Sequence, residues 1–299
     1  MDRLHAHFIH PIMKKHINVL LFCVFIFTNC IAQTDSIVVK TANWKITQIA
    51  PNIQLKQFAF QQNLFKSNQY ISILDIKPSH KLFFDLDFQP QNLVFTSRFG
   101  DSTHAIAAIN GTFFDTKNGG SVDFIKSDGQ IINENHLEKN GERTRHQKAA
   151  LVFKSGHLTI QKWDGSKDWE KHLKGQDVML TGPLLLFKQE KQALDTGAFN
   201  YLRHPRTAIA ITKNKHILFI TVDGRDSLHA AGMTLYELTD LIRWLGGKNG
   251  TNLDGGGSTT MWVAGQPENG VVNNPSDDKK WGHAGERKVA NAVVIKYRN

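Results

Sequence analysis

One segment limits the architectures open to this chain more than any other. Between His216 and Ser258, an apolar strand-like run ends on Val222-Asp223-Gly224-Arg225-Asp226 and is followed by a single well-bounded helix. A second strand-like run then ends on Asn252-Leu253-Asp254-Gly255-Gly256-Gly257-Ser258. The helix is predicted over Leu235 to about Leu245. Thr234 and Glu237 stand three apart as a capping box, Met233 and Leu238 suit a hydrophobic staple, and Gly246-Gly247 supply left-handed backbone at the end. Leu238, Leu241, Ile242 and Leu245 form one apolar stripe that must be covered by a sheet. Strand, acidic turn, helix, strand and acidic turn read as a β-α-β unit, which would bring both acidic turns to one sheet edge.

The rest of the chain is strand-rich. Alternating or short apolar runs predict strands at Trp44 to Ile49, Ile53 to Phe58 and Tyr70 to Ile76. Further strands are predicted at Ala105 to Ile109, Lys148 to Phe153, His157 to Trp163, Asp177 to Leu180, Thr207 to Thr212, His216 to Val222, Thr251 to Leu253 and Val289 to Lys296. Pro51-Asn52 and Lys77-Pro78-Ser79 punctuate the first three. The expected class is α+β: β-rich mixed sheets with a few packed helices in one catalytic domain. Residues 33–100 would form its N-terminal β-rich part and 101–299 its core.

The first 32 residues are set apart. Lys14, Lys15 and His16 precede an uncharged run from Ile17 to Thr28, and Cys30-Ile31-Ala32 offers small residues for cleavage after Ala32. This is the pattern of a secretory signal peptide, and its apolar run is short for a bilayer crossing. Cys30 as a lipid-modified N-terminus is the lesser alternative, because Asn29 is bulkier than the residue such processing takes. Cys23 and Cys30 are the chain's two cysteines, so the segment after residue 32 has no disulfide, thiol nucleophile or thiolate metal site. Setting residues 1–32 aside removes Arg3, Lys14 and Lys15 against Asp2, and the net charge falls from +9 to +7. In an exported protein that excess favours acidic envelope polymers or phosphorylated sugars. No basic helix or basic-aromatic ribbon argues for nucleic acid, and no integral membrane segment is expected after residue 32.

Three consecutive glycines after Asp254 demand a cause. Close approach of a ligand to bare backbone is one, and an anion-holding nest of N–H groups is another; a plain hairpin turn is the bland alternative. Taken in order, Ala108-Ile109-Asn110-Gly111-Thr112-Phe113-Phe114-Asp115, Thr181-Gly182-Pro183-Leu184, His204-Pro205-Arg206-Thr207-Ala208, Asp223-Gly224-Arg225, Gly232-Met233-Thr234-Leu235-Tyr236-Glu237-Leu238, the Asp254 turn, and Asn274-Pro275 followed by Glu286-Arg287-Lys288-Val289-Ala290-Asn291 form a specific set. This ordered set resembles the phosphodiester glycosidase family, the catalytic-domain class of the enzyme that uncovers a sugar phosphate by removing N-acetylglucosamine. The resemblance runs from about residue 70 to the C-terminus. Thr112 and Ala210 stand where the family often has glycine.

The resemblance implies hydrolysis of a sugar–O–phosphate glycosidic bond. A phosphate monoester leaves readily, so cationic and N–H donors can replace the usual acid, while a carboxylate still activates water or attacks the anomeric carbon. Asp254 is the first candidate for that carboxylate and Asp223 the second. Glu237 is a third, although the capping box explains it without chemistry. Gly255, Gly256, Gly257 and Ser258 would nest the phosphate or sugar, Arg206 and Arg225 would grip phosphate oxygens, and Asn110 would meet a sugar hydroxyl. Arg287 would reach the site or brace it. His204 and His229 flank these motifs without metal-ligand spacing, so no cofactor is expected, and a divalent cation stays open. The rival functions are a non-catalytic carbohydrate-binding or envelope-assembly protein and a metal-dependent phosphodiesterase.

Overall fold

The computed structural model describes residues 35–298. The expected signal peptide at 1–32 lies outside them. The framework is an eight-stranded sheet, a five-stranded sheet and a four-stranded sheet, with a two-stranded pairing of Val94–Phe95 and Lys288–Val289 at the margin. Few helices accompany them, as the pattern of short apolar runs led one to expect.

The large sheet begins at the edge with Lys45–Ala50, Ile53–Leu64 and Ser67–Ile76, which form a continuous antiparallel meander. It continues through Ile217–Val222, Arg206–Thr212, Gly247–Asn252 and Leu184–Phe187, and ends at Glu190–Lys191. The N-terminal strands therefore share a sheet with the strands that carry the acidic turns. Alternation decides which face each side chain covers: Ile217, Phe219 and Ile209 point into the main core, while Leu218, Ile220, Ala208 and Ala210 point to the opposite face. On that opposite face lies the helix Leu235–Trp244, with Leu235, Leu238, Leu241 and Ile242 buried against the strands. Its capping box is present in full: Thr234 Oγ1 accepts from Glu237 N–H at 3.0 Å, and Glu237 Oε2 accepts from Thr234 N–H at 2.9 Å.

The main core is shared by three sheets. The four-stranded sheet, ordered Met261–Val263, Ala107–Asn110, Asn291–Tyr297, Leu82–Phe88, contributes Ile109, Val293, Ile295 and Phe84. The five-stranded sheet, ordered His157–Lys162, Ala149–Lys154, Asp177–Thr181, Ile125–Ser127, Gln130–Asn133, contributes Leu151, Phe153, Met179 and Ile160. Burying this much aliphatic surface among three sheets fixes their strand ends rigidly, and the site is assembled at those ends. Among the described residues no helix is long and apolar enough to cross a membrane.

Candidate active site

The strand order creates the edge that the sequence implied. Arg206–Thr212 lies between Ile217–Val222 and Gly247–Asn252 and is antiparallel to both, so the outer two run parallel to each other. The helix Leu235–Trp244 is their crossover. The Asp223 and Asp254 turns therefore leave the same sheet edge, and Pro205-Arg206 enters there. A second sheet meets this edge through Asn110. Asn110 Nδ2 donates to the Asp254 carbonyl at 2.8 Å, and its Oδ1 accepts from Thr207 Oγ1 at 2.9 Å and Thr260 N–H at 3.0 Å. The Asp254 N–H in turn donates to the Gly111 carbonyl at 2.9 Å. From a third direction, the Gly182 carbonyl accepts from Asn252 Nδ2 at 3.0 Å, and Thr181 Oγ1 donates to the Asn252 carbonyl at 2.7 Å.

Close approach explains the run of glycines. A Cβ on Gly255 would stand 2.7 Å from the Pro205 carbonyl oxygen. Gly256 has φ of +61°, and a Cβ there would lie 2.9 Å from Arg225 Nη2. On Gly257 a Cβ would sit 2.5 Å from Asp277 Oδ1 and 2.6 Å from Arg287 Nη2. The turn is thus a bare strip of backbone with one neighbouring main chain beneath it and two guanidinium groups laid against it.

Asp254 stands at the head of this strip. Burial pushes its carboxyl up to about 6, against the opposing pull of the Ser258 hydroxyl, the Arg287 charge, the Gly255 N–H and His146. A carboxyl balanced there is ionised at neutral pH yet still a usable proton acceptor. Arg287 is held in place by Asp277, whose Oδ1 accepts from Arg287 Nε at 2.8 Å and from Nη2. Arg225, exposed with φ of +66°, makes no ion pair among the described residues.

His146 is the group that sequence reasoning missed. It lies in the polar stretch Gly141-Glu142-Arg143-Thr144-Arg145-His146 and its chain context gives no motif. In the fold its Nδ1 pairs with Asp123 Oδ2, and Asp123, fully buried, is held by Gln147 Nε2 on its other oxygen at 3.0 Å. The Phe113 ring packs beside the imidazole with centroids 4.7 Å apart. With Nδ1 anchored on a carboxylate, Nε2 is the nitrogen left for exchange with a bound molecule. The only signal in the sequence is a His and an Asp 23 residues apart, which chance supplies often.

Several predicted residues serve the framework instead. Glu237, named as a catalytic candidate, is fully engaged: besides the cap, its Oε2 accepts from Arg203 Nε at 3.1 Å and its Oε1 from Arg203 Nη2 at 2.5 Å. Arg206, named for phosphate, is 1% exposed and donates from Nε to the Met233 carbonyl at 2.8 Å and from Nη2 to the Phe199 and Leu202 carbonyls at 2.7 and 2.9 Å. Its guanidinium ties the helix entry to the loop before the strand, so it grips backbone rather than phosphate. Asn110, named for a sugar hydroxyl, commits its amide to the Asp254 turn. Asp223 is 1% exposed, and its oxygens accept from Asn273 Nδ2 at 2.8 Å, Asn274 N–H at 2.9 Å and Asn274 Nδ2 at 2.8 Å. Burial raises it to about 6 despite those donors, and it acts as a clamp on the segment after Asn273.

The flanking histidines are placed likewise. His204 is part-buried, and burial with the Arg206 and Arg225 charges lowers its pKa, so it stays neutral. His229 stacks on Trp281 at 4.7 Å and pairs with Asp226 at 2.8 Å. Among the described residues, no three His, Cys, Asp or Glu side chains gather as a metal site.

A profile of the family described as "Phosphodiester glycosidase" matches residues 103–296, a stretch that contains Asn110, Asp123, His146, Asp223, Asp254 and Arg287. The chain belongs to the phosphodiester glycosidase family. Among relatives, it is 36% identical over 110 residues to the SPbeta prophage-derived uncharacterized protein YomE of Bacillus subtilis (strain 168), covering 37% of this chain and 15% of that protein. It is 26% identical over 201 residues to the mouse (Mus musculus) N-acetylglucosamine-1-phosphodiester alpha-N-acetylglucosaminidase, covering 63% of this chain and 37% of that one. The chain thus spans well under half the length of either relative. Its fold is similar to the zebrafish N-acetylglucosamine-1-phosphodiester alpha-N-acetylglucosaminidase catalytic domain, auto-inhibited by its pro-peptide, with a TM-score of 0.59 at 21% identity over 83% of each chain. It is also similar to a hypothetical protein from Synechocystis, with a TM-score of 0.62 at 15% identity over 86% of this chain and 64% of the other. A putative exported protein from Burkholderia pseudomallei K96243 gives 0.55 at 16% identity over 78% and 75%. These structural likenesses concern the family's β-rich architecture.

Proposed function

We propose that this phosphodiester glycosidase hydrolyses the glycosidic C–O bond of a sugar 1-phosphodiester outside the cytoplasm. The observation that carries the reading is the Asp254 turn: a carboxyl raised to about 6 by burial heads a strip of bare backbone flanked by Arg225 and Arg287. In this scheme the phosphodiester lies along Gly255 to Gly257 with Arg225 and Arg287 on its oxygens. The bond from the anomeric carbon to the bridging oxygen breaks, and the electron pair leaves with the phosphate as a monoester dianion that the two guanidiniums stabilise. Water adds to the anomeric carbon and gives its proton to Asp254, with His146, steadied by Asp123, relaying it to solvent or product. The expected leader at residues 1–32 and the basic balance of the remainder support export towards acidic envelope material.

An α-N-acetylglucosamine 1-phosphodiester, the substrate class named in the mouse and zebrafish proteins, is the first compound to try. The test is hydrolysis in oxygen-18 water. Label in the released sugar supports the reading; label in phosphate means P–O cleavage and overturns it in favour of a phosphodiesterase. Binding with no turnover would identify a carbohydrate-binding protein.

A further inference from the structure

Beside the Asp254 turn opens a cavity of about 530 Å³, lined by Arg225 and Arg287, which lie against Gly256 and Gly257, and by Lys279, Lys280, Ser276 and Trp281. Its charges do not cancel. Four cationic side chains line it against the two carboxylates of Asp226 and Asp277. Both acids are already occupied, Asp226 by His229 and Asp277 by Arg287. Lys279 and Lys280 are exposed and make no ion pair among the described residues. Ser276, 9% exposed, also lines it. The wall is also firm: Trp281 is stacked by His229 at 4.7 Å and met edge-on by Tyr70 at 5.8 Å, and the segment behind it hangs from Asp223 through Asn273 and Asn274.

We propose that this cavity is a second anion subsite, which takes a further phosphate on the leaving-group side of the scissile phosphodiester. The substrate is then a sugar phosphodiester whose leaving group is itself phosphorylated, as in a polyol-phosphate chain, rather than one with a neutral alcohol. The proposal rests on the glycosidase reading for what is cleaved, but not for what is bound. The first phosphate meets Arg225 and Arg287; the second meets Lys279 and Lys280. A volume of about 530 Å³ falls in the range of small-molecule sites.

Two measurements on the chain beginning at residue 33 test it. In the first, glycerol 1-phosphate and glycerol 1,3-bisphosphate are titrated into wild type and into K279Q/K280Q at low salt. The bisphosphate should bind at least about tenfold more tightly to wild type, with the preference fading as ionic strength rises, and the double variant should bind the two alike. Equal binding by wild type, or a preference that survives the double substitution, overturns the subsite. In the second, α-N-acetylglucosamine 1-phosphodiesters of glycerol and of glycerol 3-phosphate are compared as substrates. The double variant should lose kcat/KM about tenfold on the phosphorylated leaving group only. If the binding preference holds while neither diester is cleaved, the subsite stands and the glycosidase reading falls. If both are cleaved at equal rates by both proteins, the reverse is true.

Discussion

Replacing Asp254 by Asn should inactivate the protein and also make it more stable. The carboxyl rises from 3.8 to about 6 on folding, and each tenfold gain in proton affinity corresponds to about 1.4 kcal/mol, so the ionised form costs the fold up to about 3 kcal/mol. Asp254 is only partly shielded from solvent, and a realistic gain for the neutral isostere is about 1–2 kcal/mol. The folded state holds this proton more tightly than the unfolded chain. The cost is therefore absent below about pH 4, grows as pH rises through the interval from 3.8 to about 6, and is complete above it. At roughly 2–4 °C per kcal/mol for a domain of this size, D254N should melt about 2–8 °C above wild type at pH 8 and within a degree of it at pH 4. Thermal melts at the two pH values, run beside turnover assays, read both effects. A variant that is destabilised at pH 8, or shifted equally at both pH values, would refute the claim that burial of an ionised Asp254 is what tunes the site.

The remaining predictions concern its surroundings. D123N should lower kcat by about 10²–10⁴-fold and alter the pH profile while leaving KM within a few-fold, because His146 loses its anchor; an unchanged profile removes His146 from the mechanism. E237Q should cost about 1–2 kcal/mol by denaturant unfolding, through the cap and the Arg203 pair, with kcat unaffected. G257A, which places a Cβ 2.6 Å from Arg287 Nη2, should raise KM for a phosphodiester at least several-fold with little change in melting temperature, whereas an unaltered KM would separate Arg287 from the phosphate.

Much of the architecture was legible because it rests on local signals. The capping box, the staple residues and the double glycine bounded the helix at Leu235–Trp244, and period-two alternation located strands such as Ser67–Ile76 and Ile217–Val222. Leu82–Phe88 went unrecognised, because Phe83 on its outer face blurs the alternation of Leu82, Phe84, Leu86 and Phe88 on the inner one. The site was readable only in part. The acid and three glycines at Asp254 mark the turn in the sequence, with a plain hairpin as the alternative, whereas Arg225 and Arg287 stand out only through the family motifs. Whether an individual polar residue faces a ligand or the protein is decided by partners far away in sequence: Arg206 reads as a phosphate grip until the Phe199, Leu202 and Met233 carbonyls are placed around it. His146 failed to register for the same reason, as its meaning depends on Asp123 across a loop.

The position of the last strand has its own consequence. Asn291–Tyr297 is inserted between Ala107–Asn110 and Leu82–Phe88 rather than laid on a margin. Both neighbours are made some two hundred residues earlier and have no partner across that gap until the tail arrives. The Asn291 side chain then takes the Thr112 N–H at 2.6 Å, locking the loop that begins at Asn110 and underlies Asp254. Without this strand the loop beneath Asp254 loses that anchor, and deleting residues 291–297 should abolish any turnover as completely as replacing Asp254.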